Sequence, residues 1–248
     1  MGVRHKIEAT LVAVLPAFAY RLIGGLYGFF ISPTQSFSQY GEDLMIRSFF
    51  AVRDPKNGVY VDIGGFHPRW LSNTHLLAQD GWGGVAVDID EHKVRLFERT
   101  RHRCKGITAA VFPGQSKSEQ SVYKFRRLWS EIDTLSLPDA QKYLRDTGIQ
   151  FDASEVKTTD IKSVVKVATD SYGRVRFLNI DIEGLDEAIL LEMNFNLYPV
   201  DLICFENNQS FRGSEKVRQL MQSKGYQHLF TARGTHGYAK EELLGATR

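Results

Sequence analysis

A chain of 248 residues with 43% hydrophobic and 24% charged content, 21 glycines and 7 prolines has the composition of one globular domain, which excludes disorder, collagen-like repeats and a polytopic membrane protein. With 31 basic and 29 acidic residues the formal net charge is +2, too balanced to announce a nucleic-acid partner. Cys104 and Cys204 lie far apart without a Cys-x-x-Cys or His-rich companion, so neither a disulfide framework nor a zinc site is signalled and a reducing, cytoplasmic setting fits.

The first stretch, Ala9 to Ile31, is almost wholly apolar but is broken by Arg21 and punctuated by Pro16, Gly24, Gly25 and Gly28. It is near the ~20 residues of a spanning helix, yet Arg21 at mid-span would cost about 2.5–3.5 kcal/mol. Arg4 and Lys6 ahead of an apolar run that ends in Ala17-Phe18-Ala19 also have the form of a signal peptide. A helix or helical hairpin packed on the domain or on a second subunit is the third alternative. Membrane association through Ala9–Ile31 and a homo-oligomer therefore stay open, and the expected organisation is an N-terminal apolar helical segment over 1–37 followed by one domain over 38–248.

Val59-Tyr60-Val61-Asp62-Ile63, between Asn57-Gly58 and Gly64-Gly65, reads as a buried strand ending in a tight turn. Ser72-Asn73-Thr74 offers N-cap groups to a helix His75–Gln79 that Gly81 stops. Gly84–Ile89 is the next strand, which completes a βαβ crossover with a ligand crevice at the carboxyl ends of its strands. The basic cluster Arg95 to Lys105, on a helix and the turn after it, is expected to be solvated surface. Ile107–Val111 is expected as a third strand, Val175–Asp181 as a fourth, and Leu185–Glu192 as a helix. Residues 112–155, with the aromatic-basic run Tyr123 to Arg127, form a long insertion of the kind that carries specificity. It is expected to cover the acceptor, and its basic residues suit a phosphate- or carboxylate-bearing substrate.

Two features of the crevice are chemical. Gly64 and Gly65 let backbone approach a ligand, although a plain turn explains them equally. Asp88 ends the second strand, where a carboxylate can accept both hydroxyls of a ribose. The dinucleotide pattern G-x-G-x-x-G is absent, because the turn runs Asp62-Ile63-Gly64-Gly65-Phe66-His67-Pro68, so no helix N-terminus is set to cradle a pyrophosphate. Asp62, taken as the last residue of the first strand, suits a cofactor with an ammonium group and no phosphate. S-adenosyl-L-methionine meets that description; a nicotinamide-dependent oxidoreductase on the same βαβ framework is the alternative.

Several blocks resemble the FkbM-type methyltransferase family, in order: Ser38-Gln39-Tyr40-Gly41-Glu42-Asp43, Val61 to Pro68, Ser72-Asn73-Thr74, Gly81-Trp82-Gly83-Gly84, Val87-Asp88, Arg176 to Leu190, and Val200 to Asn207. Together they cover roughly residues 38–208, and Asp181-Ile182-Glu183-Gly184 is the most specific of them. The resemblance implies a doubly wound, mostly parallel Rossmann-like α/β sheet of the class I methyltransferase type, S-adenosyl-L-methionine as cofactor, and O-methylation of a hydroxyl on a sugar, glycan or secondary metabolite. Cofactor contacts are expected at Gln39, Asp62, Gly64, Gly65, Asn73, Asp88, Ile89 and Asp181.

The attacking hydroxyl must lose a proton, and Asp181, Glu206 and His67 are the candidate bases, Asp181 first. Glu183 shares a strand face with Asp181. It equally suits the N-terminus of the following helix, and two oxygen ligands are too few to assign a metal. Phe66, Trp70, Trp82 and Trp129 invite adenine stacking, but such aromatics mostly serve core packing, and none is assigned. A non-catalytic adaptor that keeps the fold and uses Ala9–Ile31 for attachment is a further alternative.

Overall fold

A computed structural model describes residues 35–53, 56–114, 118–127, 130, 133–182, 184–207 and 212–245. Ala9–Ile31, Trp129 and Glu183 lie outside these residues. The chain divides into two units, Met1–Gln35 and Ser36–Arg248, and the described elements all belong to the second.

In chain order the elements are α1 (Glu42–Ala51), β1 (Val59–Ile63), α2 (His75–Gln79), β2 (Gly83–Asp88), α3 (Glu91–Thr100), β3 (Cys104–Thr108), β4 (Ala110–Val111) and β5 (Glu119–Phe125). They continue with α4 (Leu137–Thr147), β6 (Phe151–Thr159), α5 (Ile161–Tyr172), β7 (Phe177–Ile180), α6 (Asp186–Leu191), β8 (Leu202–Glu206), α7 (Glu215–Ser223), β9 (Tyr226–Ala232), β10 (Thr235–Lys240) and α8 (Glu241–Leu244). The main sheet has the order β3-β2-β1-β7-β8-β10-β9. Its first five strands are parallel, and β10 is antiparallel to both neighbours. The order reverses at β1, where parallel sheets of this kind open a ligand crevice between diverging connections. This is a doubly wound, mostly parallel α/β sheet.

β1 is buried throughout because it is covered on both faces. Val59, Val61 and Ile63 pack with Val164, Val165 and Ala168 of α5, while Tyr60 packs on the opposite side with Ile46, Phe49 and Phe50 of α1 and with Trp82. Asp62 alternates onto the Tyr60 side. Its register partner on β7 is Asn179, so the two polar side chains are cross-strand neighbours inside an otherwise apolar layer.

One expected strand and one expected cap differ from those formed, and the insertion has a fold of its own. Ile107–Val111 is not one strand: β3 ends at Thr108, and Ala110–Val111 turns away to pair with β6. The insertion is a folded unit in which β4, β6 and β5 make a second sheet and α4 connects β5 to β6. Thr74 occupies the N-cap position of α2 but makes no side-chain cap there, because its hydroxyl is used by Asp62.

Candidate active site

The β1–α2 loop builds one wall of the crevice. Gly64 has φ +80°, and a Cβ on it would stand 1.7 Å from the carbonyl oxygen of Asp181, so only glycine allows the ends of β1 and β7 to come together. The N–H groups of Gly64 and Gly65 both donate to the carbonyl of Val87, at 2.8 and 3.1 Å. The loop amides are thus spent within the sheet edge, and what the glycines present to a ligand is the absence of a side chain. His67 Nδ1 accepts from the backbone N–H groups of Arg69 (3.0 Å) and Trp70 (2.9 Å). That lone pair is committed, so the neutral ring carries its proton on Nε2 and is a donor there, not a base. Burial and the charge of Arg101 hold its pKa below the usual histidine value, which favours that neutral ring.

Asp62 is followed by Ile63 within β1, so it is the penultimate residue of the strand and not its end. It is buried and accepts from Thr74 Oγ1 and from Asn179 Nδ2 (3.0 Å). Asn73 Nδ2 in turn donates to Asn179 Oδ1 (3.1 Å). Behind Thr74 lies Arg101, which corrects the expectation of a solvated basic cluster. Arg101 is 6% exposed and donates to Thr74 Oγ1 (2.9 Å), Tyr60 Oη (3.0 Å), Ser72 Oγ (2.9 Å) and the Pro68 carbonyl (2.6 Å). The guanidinium clamps the β1–α2 loop from inside.

Asp88 closes β2 and accepts from the backbone N–H of Asp90 (2.7 Å). Burial raises its pKa to about 6 against the opposing pull of Lys93, whose Nζ is 3.8 Å away. Lys93 is itself buried at 6% exposure; it donates to the Ser130 carbonyl (2.7 Å) and lies 3.7 Å from Asp133. One ammonium therefore joins the end of β2 to the insertion. The insertion thus borders the Asp88 side of the crevice.

Two adjoining cavities occupy the carboxyl edge. The larger, about 380 Å³, is lined by Asp88, Ile89 and Lys93, by Ala109–Phe112 and by Asp133–Ser136. The smaller, about 220 Å³, is lined by polar groups including Gln39, Glu42, Asp62, Asn73, Asn179 and Glu206. Gly64, Phe66 and Asp181 line both. Asp62 and Asp88 thus line two neighbouring cavities, and Asp181 lies on the wall they share. Asp181 is exposed and lies beside the glycine loop, its N–H donating to Ile63 (2.9 Å), rather than across the cleft from it. Gln39 is held at the mouth because Asp43, fully buried, accepts from Ser36 Oγ, Phe37 N–H and Ser38 Oγ. Phe66 carries the Lys93 ammonium 5.2 Å from its ring centre, whereas Trp82 is core.

Asp186 is a residue that sequence reasoning did not single out. Its buried carboxyl accepts from the N–H groups of Ile182 (3.4 Å), Gly184 (3.2 Å) and Glu206 (3.3 Å), tying the end of β7 to the end of β8. Burial raises its pKa to about 7. The only sequence signal was an aspartate two residues beyond Gly184.

The family model described as the methyltransferase FkbM domain matches residues 62–228. The chain belongs to the FkbM methyltransferase family. Its cofactor is accordingly S-adenosyl-L-methionine, and the nicotinamide alternative falls away. Comparison with curated proteins finds no match. Among solved structures, this FkbM methyltransferase is similar to a TehB-like SAM-dependent methyltransferase from Corynebacterium glutamicum, with 9% identity and TM-score 0.39 over 90% of this chain and 96% of that one. A methyltransferase from Geobacter sulfurreducens gives 13% and 0.41 over 96% and 97%. Overlap this loose adds nothing to the strand order.

The crevice fits a sulfonium nucleoside and fits a dinucleotide poorly. Among the described residues no lysine or arginine lines the smaller cavity, the one lysine of the larger is flanked by two carboxylates, and both loop amides are spent. Phosphate finds no donor set there, whereas a ribose has Asp88 and an ammonium has carboxyl and amide oxygens. No group of three or more metal-ligating side chains occurs among the described residues, and none of their helices is long and apolar enough to cross a membrane.

Proposed function

We propose that this methyltransferase transfers a methyl group to a hydroxyl of a small-molecule or glycan acceptor. The larger cavity takes the nucleoside of the cofactor, with Asp88 on the ribose hydroxyls and Ile89 and Ala110 along the base. The smaller takes its amino-acid end, with Asn73 and Asp62 toward the ammonium and with Gln39 and the Nε2 proton of His67 toward the carboxylate. Bound S-adenosyl-L-methionine supplies an electrophilic methyl on a sulfonium centre.

The observation that carries this reading is the position of Asp181 on the wall shared by both cavities. A carboxylate there accepts the proton that a hydroxyl loses as it attacks. Glu206, on the same cavity and held by Asp186 through its backbone, orients the acceptor. The protein's main contribution is then to place the hydroxyl in line and exclude water.

The test is incubation with S-adenosylmethionine labelled with carbon-13 on its methyl group and a panel of sugars, glycans and hydroxylated metabolites. The methyl carbon of the product should resonate as an ether. An amine-type methyl signal would contradict the hydroxyl acceptor, and tight cofactor binding with no transfer to any member would favour the adaptor.

A further inference from the structure

A guanidinium has donors only, and this sets the direction of every hydrogen bond leading from Arg101 to the smaller cavity. Arg101 donates to Thr74 Oγ1, so the Thr74 proton goes to Asp62 Oδ2. The remaining oxygen of Asp62 accepts, so Asn179 must turn its NH₂ toward it. Asn179 Oδ1 then faces Asn73, which must answer with its own NH₂. Asn179 is 4% exposed and lies on the β7 register position opposite Asp62, and a flipped amide would set its Oδ1 against the Asp62 carboxylate. The Asn73 amide is thereby left with its oxygen as the group not engaged by Asn179, and no described residue donates to it.

We infer that Asn179 is a positioning residue that sets the Asn73 amide to present Oδ1, an acceptor, to the ammonium end of the cofactor. The inference rests on the smaller cavity being the amino-acid end. An amide rotated the other way would put NH₂ against an ammonium, which is repulsive; the relay from Arg101 removes that choice. Ammonium recognition is then built into the sheet at β7 and does not depend on Asn73 alone. It also explains why a polar side chain stands opposite Asp62 in a strand whose other residues are apolar.

The test compares affinity for S-adenosylhomocysteine and for its deaminated analogue, which lacks only the amino group, by calorimetry. Wild-type protein should prefer the aminated ligand, and Asn179→Ala should reduce that preference by roughly ten- to a hundred-fold, the worth of a hydrogen bond to a charged group. Affinity for the deaminated analogue should stay unchanged, which a general loss of structure would not allow. Asn179→Asp keeps an oxygen for the Asn73 NH₂, with one shared proton between it and Asp62, and should retain the preference. An Asn179→Ala protein that discriminates as well as wild type, or an Asn179→Asp protein that folds and does not, overturns the inference. Wild-type protein that fails to discriminate would instead overturn the assignment of the smaller cavity.

Discussion

The carbonyl oxygen of Asp181 faces Gly64 so closely that a methyl group on Gly64 would lie 1.7 Å from it. The same contact brings the candidate base beside the cofactor loop. Gly64→Ala should therefore cost about 1–3 kcal/mol from the left-handed backbone conformation alone, with the clash adding to it. Urea unfolding measures the loss, and calorimetry with S-adenosylhomocysteine should show weakened binding in protein that remains folded. An alanine variant with wild-type stability and affinity would mean that β1 and β7 are not locked together at this point.

Asp88 carries a pH prediction with a definite sign. Its folded pKa, about 6, lies above the ordinary 3.8, so the folded state holds a proton that the unfolded chain has released between these values. Its contribution to stability is most favourable below about 3.8 and declines as pH rises through about 6. Asp88→Asn should remove that part of the slope. Cofactor affinity should run the other way, rising through about pH 6 as the better acceptor of ribose hydroxyls forms. Calorimetric titration across this range checks it, and a flat profile in wild-type protein would count against Asp88 as the ribose contact.

For the chemical step, Asp181→Asn should lower kcat by about 10²–10⁴-fold, the usual worth of a positioned general base, with S-adenosylhomocysteine affinity changing far less. Glu206→Gln should act mainly on acceptor KM. Single-turnover kinetics separates the two. Equal, small effects from both substitutions would mean that neither carboxylate handles the proton.

Lys93→Met leaves Asp88 and Asp133 without the ammonium between them. Removing one partner from a buried charged cluster costs about 3–5 kcal/mol, and it should also raise the Asp88 pKa further. The pH midpoint of cofactor binding should shift upward, and limited proteolysis should cut faster within the insertion. An unchanged midpoint would separate Lys93 from the ribose site.

β1, β2 and α2 could be read from local pattern because each is short, apolar or capped, and bounded by glycine. The βαβ crossover and Asp88 followed from them. What escaped was long-range. Asn179 meets Asp62 across 117 positions of chain, and nothing local marks either as a pair. Arg101 looks like any member of a basic run until the fold buries it against Thr74 and Tyr60. The position of the insertion could not be read either, since Lys93 in α3 meets the Ser130 carbonyl only after β4 turns out of the main sheet. His67 kept the appearance of a base until the two backbone donors on Nδ1 were in view.

The most direct measurement is an experimentally determined complex with S-adenosylhomocysteine. The ribose should lie against Asp88, the amino group against the amide oxygen of Asn73, and the sulfur beside Asp181. A ligand bound outside these two cavities, or bound in them with its ends exchanged, would contradict the account.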